Sequence, residues 1–257
     1  MQATQAINAT PERRHRRILI MPAHNEAENI ERVLQEVQKV APPLDIVVIN
    51  DASTDDTARR AARMGATVIS LPCNLGYGGA VQTGFRYAVE HGYGVGVLMD
   101  ADGQHDPRGI AALLDVVESG QADLALGSRW LGSITYDAGR LRRLGMAFFR
   151  CIVSAIIRQR VTDPTSGFQA LSPRLMRFFA RDNYPSDFPD ADTIIILHYA
   201  GFRLKEVPVT MRGRMSGVGM HASLKPIYYV IKMVLSIAIV LLRQHTHMGA
   251  RYRGSTL

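Results

Sequence analysis

Cysteine is nearly absent from this chain. Cys73 and Cys151 are the two in 257 residues, too few for a disulfide framework and suited to a reducing compartment. The histidines that could serve as ligands within the patterned part of the chain, His24, His105 and His221, stand apart, which argues against a zinc site built from them. Trp130 is the one tryptophan and reads as packing rather than as a sugar platform. Residues 1–12 are polar and lack the apolar core of a signal peptide. No segment supplies the about 20 uninterrupted apolar residues that a lone bilayer span needs. The most apolar stretch, Pro226 to Leu242, is broken by Lys232 and Ser236 and ends at Arg243. There is no internal repeat and no low-complexity tract.

What is present is enough for a sizeable core. The hydrophobic fraction is 47%, and the length suits one large α/β domain with additions. The net charge of +7 calls for an anionic partner: a membrane surface, a phosphorylated substrate or nucleic acid. The basic residues cluster. Arg13, Arg14, Arg16 and Arg17 precede the first strand; Arg140, Arg142, Arg143, Arg150, Arg158 and Arg160 form a second group; Arg212, Arg214, Lys225, Lys232 and Arg243 form a third. The first group reads as a solvated arm or a contact to lipid headgroups. None carries interleaved aromatics, which disfavours nucleic acid.

The first half alternates between the two hydrophobic periods. Ile18 to Met21, Leu44 to Ile49, Thr67 to Leu71, the run ending at Met99, and Leu124 to Gly127 read as strands. Between them, Asn25 and Glu28 suggest a capping box before Ile30, Val33, Leu34, Val37 and Val40. Ser53 suggests a cap for a helix ending near Gly65. A helix is predicted from Ala80 to His91, and Asp106-Pro107 marks another helix start. This rhythm predicts a mainly parallel sheet with helices on both faces. Beyond Arg129, residues 131–143 read as loop and Leu144 to Ile157 as an amphipathic helix. Ser172-Pro173 starts a short helix, Thr193 to Tyr199 is helical, and Arg203 to Val209 is a strand. Residues 210–224 read as a mobile Gly-, Ser- and Met-rich segment. Pro226 to Leu242 reads either as a buried core helix or, preferably, as a helix lying in the headgroup region or docked on a membrane partner, with Tyr228-Tyr229 as interface anchors.

Each strand of that half ends in a polar loop: Pro22-Ala23-His24-Asn25-Glu26, Asn50 to Asp55, Asn74 to Gly79, Asp100-Ala101-Asp102-Gly103-Gln104-His105, and Gly127-Ser128-Arg129. Open α/β sheets bind ligands at that edge. Asp100 and Asp102 stand one residue apart, so their mutual repulsion needs a cation, a shared proton or water. A hard divalent ion that also grips diphosphate oxygens is one natural answer. Gly76-Tyr77-Gly78-Gly79 carries part of a dinucleotide fingerprint, but lacks its third glycine position and the acidic residue about 20 positions on.

The order and spacing of these loops resemble the family-2 glycosyltransferases of GT-A fold, over residues 17–243. The likeness is strongest to the dolichol-phosphate mannosyltransferase branch. It implies that Pro22, His24, Asn25 and Glu26 hold the nucleotide of a nucleotide sugar, and that the loop of Asp51 and Asp55 reads base and ribose. Gly78 and Ala101 fall in the same donor-binding loops. Asp100, Asp102 and Gln104 match metal- and diphosphate-binding positions, so Mg2+ or Mn2+ is the implied cofactor. Arg129 falls where the family has a Gly-x-Arg arginine near the phosphates. Asp163 to Phe168, with Ser166, resembles the acceptor-side loop, and Arg212, Arg214 and Ser216 match a late segment that closes over donor. The pattern departs at Gly217, where a lysine often follows the serine. The Gln-x-x-Arg-Trp signature of processive polysaccharide synthases is missing.

The expected organisation is a basic arm (1–17), a catalytic domain (18–224) split into a nucleotide-sugar half (18–130) and an acceptor half (131–224), an apolar membrane-associating helix (225–243) and a tail (244–257). The implied activity is inverting transfer of a hexose from GDP-mannose or UDP-glucose to a polyprenyl phosphate. It would act at the cytoplasmic membrane face as a peripheral or monotopic protein, with Arg140, Arg142 and Arg143 receiving the acceptor phosphate. A small membrane-protein partner is compatible with this, and nucleic acid is not expected. If the acceptor were instead a hydroxyl, a base would be needed, and Asp190 or Asp192 would be the candidate, unless both are acidic caps of a helix N-terminus. A non-catalytic nucleotide-sugar-binding membrane adaptor is the alternative from another class.

Overall fold

The computed structural model describes residues 16–134, 140–181, 184, 191–213, 234–240 and 242, with the side chains of 133–134 and 140–146 left aside. The expected basic arm through residue 15, Asp190, Arg214, Ser216, Tyr228-Tyr229 and the tail all lie outside the described residues, as do the side chains of Arg140, Arg142 and Arg143.

The elements run β1 (Arg17–Ala23), α1 (Ile30–Val40), β2 (Asp45–Asn50), α2 (Thr57–Arg63), β3 (Thr67–Ser70), α3 (Gly76–Glu90), β4 (Val95–Leu98), α4 (Gly109–Glu118), β5 (Leu124–Ile134), α5 (Arg140–Ile157), β6 (Gln169–Leu171), α6 (Pro173–Ala180), α7 (Ala191–Tyr199) and β7 (Leu204–Met211). The strands form one seven-stranded sheet in the order β3-β2-β1-β4-β6-β5-β7. All neighbours are parallel except β6, which runs antiparallel to both β4 and β5. Because β6 is reversed, the loop that enters it opens on the same rim as the loop that leaves β4.

Alternation along the strands divides the core. On β1, Leu19 and Met21 face α1, α2 and α4 through Val33, Leu34, Ala61, Ile110 and Leu113. Ile18 and Ile20 face α3 and α6 through Val81, Phe85, Leu175 and Phe179. Both faces are thus covered, which explains why β1 and β4 are buried almost throughout. A third cluster joins Leu126 of β5, Phe149 and Val153 of α5, Ile195 of α7, and Ile237 and Val240 of a helical segment at 234–240. Phe149, Val153 and Ile157 recur every four residues, so α5 turns one stripe inward.

Several local expectations give way to tertiary partners. α1 starts at Ile30 without a side-chain cap; the Asn25 carboxamide is instead engaged by the Thr54 amide at 2.8 Å. Ser53 does not cap α2, because its hydroxyl accepts the Asn25 amide at 3.0 Å. α3 begins at Gly76, a turn earlier than predicted, and α4 begins at Gly109 after a turn at Asp106-Pro107. The stretch 131–143 is not all loop: β5 continues to Ile134 and α5 starts at Arg140. Ser172 caps α6 as expected, accepting the Leu175 amide at 3.2 Å with Pro173 in the first turn. Among the described residues, no helix is long and apolar enough to cross a membrane. The segment at 234–240 buries Ile237 and Val240 while exposing Val234, Leu235 and Ile239.

Candidate active site

The loops after β1, β2 and β4, the start of α3 and the loop before β6 meet at the carboxyl end of the parallel strands. Two positive-φ residues shape the first pair of loops, Asn25 at +55° and Ala52 at +52°; asparagine tolerates that conformation far better than most residues. His24 Nδ1 lies 2.6 Å from the Asp51 carbonyl and 3.2 Å from the Asn74 carboxamide nitrogen, and its Nε2 lies 3.1 Å from the Asn25 carboxamide nitrogen. Glu26 and Ala27 are tied to the next loop: their amides donate to Thr57 Oγ1 (2.8 Å) and Asp55 Oδ2 (3.1 Å). Burial acts to raise the Asp55 pKa, but hydrogen bonds from the Thr57 hydroxyl and amide and the Ala27 amide hold it below the usual range. Asp51 is buried and takes the amides of Leu75 (2.7 Å) and Gly76 (3.0 Å). Its charge sits against the N-terminus of α3, where Gly76 has φ +78°. Asp51 and Asp55 therefore build the loops that present the rim.

The two carboxylates past β4 differ. Asp100 accepts from the Tyr77 hydroxyl at 2.9 Å and from His105 Nε2 at 3.3 Å, one on each oxygen. Burial would raise its pKa, but His105, Tyr77 and the charge of Arg129 keep it below the usual carboxylate range. Tyr77 moves upward, through burial and the neighbouring Asp100 charge, and stays a neutral donor. Asp102 accepts the Gln104 amide at 3.0 Å, and Ala101 between them is buried. A Cβ on Gly167, in the loop before β6, would stand 3.1 Å from both Asp100 Oδ2 and the Tyr77 hydroxyl. The loop bearing Ser166 thus lies close against the first carboxylate, and a side chain at 167 would require the Asp100 carboxylate or the Tyr77 hydroxyl to give by a few tenths of an ångström.

Glycosyl transferase family 2, as a sequence pattern, matches residues 18–184. The chain belongs to this family. It is 31% identical over 220 residues to the polyprenol monophosphomannose synthase of Mycolicibacterium smegmatis, covering 82% of each chain. It is 31% identical over 212 residues to the undecaprenyl-phosphate mannosyltransferase of Micrococcus luteus, covering 78% of this chain and 85% of that one. Among solved structures, the fold is similar to glucosyl-3-phosphoglycerate synthase from Mycobacterium tuberculosis, captured with Mn2+ and uridine-diphosphate-glucose. There the TM-score is 0.62 at 22% identity, over 87% of this chain and 78% of that one.

Two residues expected on the phosphate side, Arg129 and Arg212, and the candidate base Asp192 take defined places. Arg129 is buried, and Asp163 grips it at both Nε (2.6 Å) and Nη2 (2.5 Å) while also accepting its amide at 3.0 Å. Its charge is balanced inside the fold, and it ties β5 to the acceptor-side loop. Glu206 of β7 completes that joint by accepting the amides of Thr162 and Asp163 at 2.8 Å. Arg212 reaches Glu36 at 2.6 Å and Asp106 at 3.2 Å, and its amide donates to the Gln104 carbonyl at 2.8 Å. Arg212 therefore stitches the end of β7 to the Asp-x-Asp loop. Asp192 is buried in α7, accepts the Thr193 amide at 2.8 Å and is hydrogen-bonded by the Ser236 hydroxyl.

The donor set fits a hard divalent ion. The carboxylates of Asp100 and Asp102 and the side-chain amide of Gln104 would offer oxygen donors, which Mg2+ and Mn2+ prefer. No group of three His, Cys, Asp or Glu converges among the described residues, so such an ion would draw its remaining ligands from water and diphosphate. Tyr77 and Glu206 are residues the motif reading leaves without a role, while it weighs His105 only as a metal ligand and Asp163 only as part of the acceptor-side loop. No spacing signals them, because each acts only once the sheet order brings its loop to the rim.

Proposed function

We propose that this protein transfers a hexose from a nucleoside diphosphate sugar, GDP-mannose or UDP-glucose, to a polyprenyl phosphate at the cytoplasmic face of a membrane. The observation that carries the reading is the contact of the acceptor-side loop at Gly167 with Asp100, which joins both substrate sides at one carboxylate. The names of the curated relatives, both polyprenyl-phosphate mannosyl enzymes, support the lipid acceptor.

Departure of the nucleotide builds negative charge on diphosphate oxygens. Asp100, Asp102 and Gln104 would hold the divalent ion, Mg2+ or Mn2+, whose Lewis acidity offsets that charge. His24, Asn25 and Glu26 belong to the nucleotide side of the rim, with Asp51 and Asp55 fixing its shape. Arg212 anchors the start of the closing segment through Glu36 and Asp106, Arg214 would bring positive charge to the diphosphate, and Arg129 keeps the acceptor loop in register through Asp163. Arg140 and Arg143 at the start of α5, with Ser166, are the acceptor-phosphate residues. A phosphate monoester has a second pKa of about 6 and is ionised near neutral pH, so it attacks without a general base and in one displacement, inverting the anomeric centre. The apolar 225–243 stretch and α5 provide the membrane-facing elements.

Incubation of the protein with labelled GDP-mannose or UDP-glucose, Mg2+ and a polyprenyl phosphate in detergent tests the proposal. The expected result is label in the organic phase that depends on the lipid phosphate. Label transferred only to hydroxyl acceptors, or nucleotide-sugar binding with no turnover, would overturn it.

A further inference from the structure

Asp100 is held more firmly than a metal-ligand motif requires. Tyr77 reaches it from the first turn of α3, and that turn is itself pinned because Asp51 takes the amides of Leu75 and Gly76. His105 reaches it from the other side. Its ring is 5% exposed and packs on Phe168 with centroids 5.0 Å apart, and its backbone bridges to Met211 at the end of β7. The two donors take one oxygen each, at 2.9 and 3.3 Å. A carboxylate oxygen has two lone-pair sites, so each keeps capacity for a cation. Gly167 closes the arrangement, with a Cβ position 3.1 Å from both the Tyr77 hydroxyl and Asp100 Oδ2.

We infer that Tyr77 and His105 are positioning residues that fix the Asp100 carboxylate for a divalent cation bound with the nucleoside diphosphate. This rests on the cation-binding reading of Asp100 and Asp102 given above. The physical reason is orientation. A free Asp side chain rotates about two bonds, whereas one with a donor on each oxygen has a single low-energy setting. Partners of this kind, touching a ligand rather than the metal, typically contribute 10–100-fold in metal affinity or activity. Tyr77 and His105 come from different elements, so the carboxylate also reports whether α3 and the end of β7 are in place.

The test uses the full chain with Tyr77→Phe, His105→Ala and His105→Gln. Free Mn2+ is followed by electron paramagnetic resonance during titration in the presence of GDP or UDP. Turnover is measured separately against Mn2+ concentration. Tyr77→Phe removes one oxygen and is expected to weaken Mn2+ binding by about 10-fold, and His105→Ala by about 10–100-fold. Glutamine at 105 can return an N–H to the same oxygen and is expected to recover most of the loss. The apparent metal constant should rise while kcat at saturating Mn2+ returns towards the wild-type value, and thermal midpoints in EDTA should match. Tyr77→Phe carries the test even if His105→Ala fails to fold. Unchanged Mn2+ affinity in Tyr77→Phe would overturn the positioning role while leaving the site intact. A wild-type chain that binds no Mn2+ with either nucleotide would overturn the cation reading itself, and this inference with it.

Discussion

Replacing Asp163 by alanine strands a buried cation. Asp163 is 1% exposed and Arg129 7%, and the carboxylate satisfies Nε, Nη2 and the Arg129 amide at 2.6, 2.5 and 3.0 Å. Removing one member of a buried pair costs about 3–5 kcal/mol, because the remaining charge stays desolvated without its counter-ion. Thr165 Oγ1 at 3.0 Å and Met211 Sδ at 3.5 Å are weak substitutes for a carboxylate. Asparagine keeps the volume and one acceptor and is expected to cost about 2 kcal/mol. Trp130 adjoins Arg129 and is the one tryptophan, so its fluorescence reports urea unfolding at this joint. Asp163→Ala should lower the urea midpoint by about 1 M, taking an m-value of about 3 kcal/mol per M. Adding Arg129→Met removes the stranded charge, so the double variant should lie well above the sum of the two single losses. An Asp163→Ala midpoint within experimental error of wild type, or strictly additive losses, would refute the argument that the pair is coupled and desolvated.

The Asp106 pKa is lowered to about 2, first by its hydrogen bonds from Arg108 and further by Arg212, against the opposing effect of burial. With an unfolded value near 3.9, this contributes about 2–3 kcal/mol that is present above pH about 4 and lost as pH falls through 2. Asp106→Asn should therefore destabilise fully at pH 7 and by only about half as much at pH 3, read by chemical unfolding at both. EDTA should abolish sugar transfer and Mg2+ or Mn2+ restore it, while Asp102→Asn should lower kcat by about 10²–10³, the range for a lost electrostatic stabiliser; full activity in either case would count against the metal site. Gly167→Ala places a methyl 3.1 Å from Asp100 Oδ2 and the Tyr77 hydroxyl and is expected to weaken Mn2+ binding about 10-fold. Isothermal titration with Mn2+ and nucleotide checks this, and an unaltered affinity would mean that the loop yields freely.

The strands and their parallel arrangement were legible because the apolar runs ending at Met21, Ile49 and Met99 carry β-branched residues, and these runs and Leu124 to Leu126 all stop at polar loops. Ser172-Pro173 was legible because a cap and a first-turn proline act locally. β6 was not legible: Gln169, Ala170 and Leu171 are too few to show a period, and only pairing with β4 and β5 makes them a strand. The start of α3 was misread because glycines suggest a loop, whereas the Asp51 carboxylate organises the amides at 75 and 76 into a helical turn. Asn25 and Ser53 were read as caps because each precedes a helical pattern, but in the folded chain they bind one another's loops. At the rim, placing Asp100 and Asp102 needed only the end of a buried strand. Recognising that Asp163 balances Arg129 needed the sheet order, since residues 34 apart in sequence meet across it.

The reversed strand β6 has an engineering consequence. Everything between Arg140 and Phe168 leaves the sheet after β5 and re-enters through a three-residue strand, and it is seated on the parallel strands by that short ladder, by Gly167 beside Asp100 and by Phe168 packed on His105 and the core next to β1. On the acceptor reading proposed above, exchanging this excursion for that of a relative, while keeping Asp163, Gly167, Phe168 and Gln169 to Leu171, is expected to change the acceptor and leave the loops after β1, β2 and β4 as built.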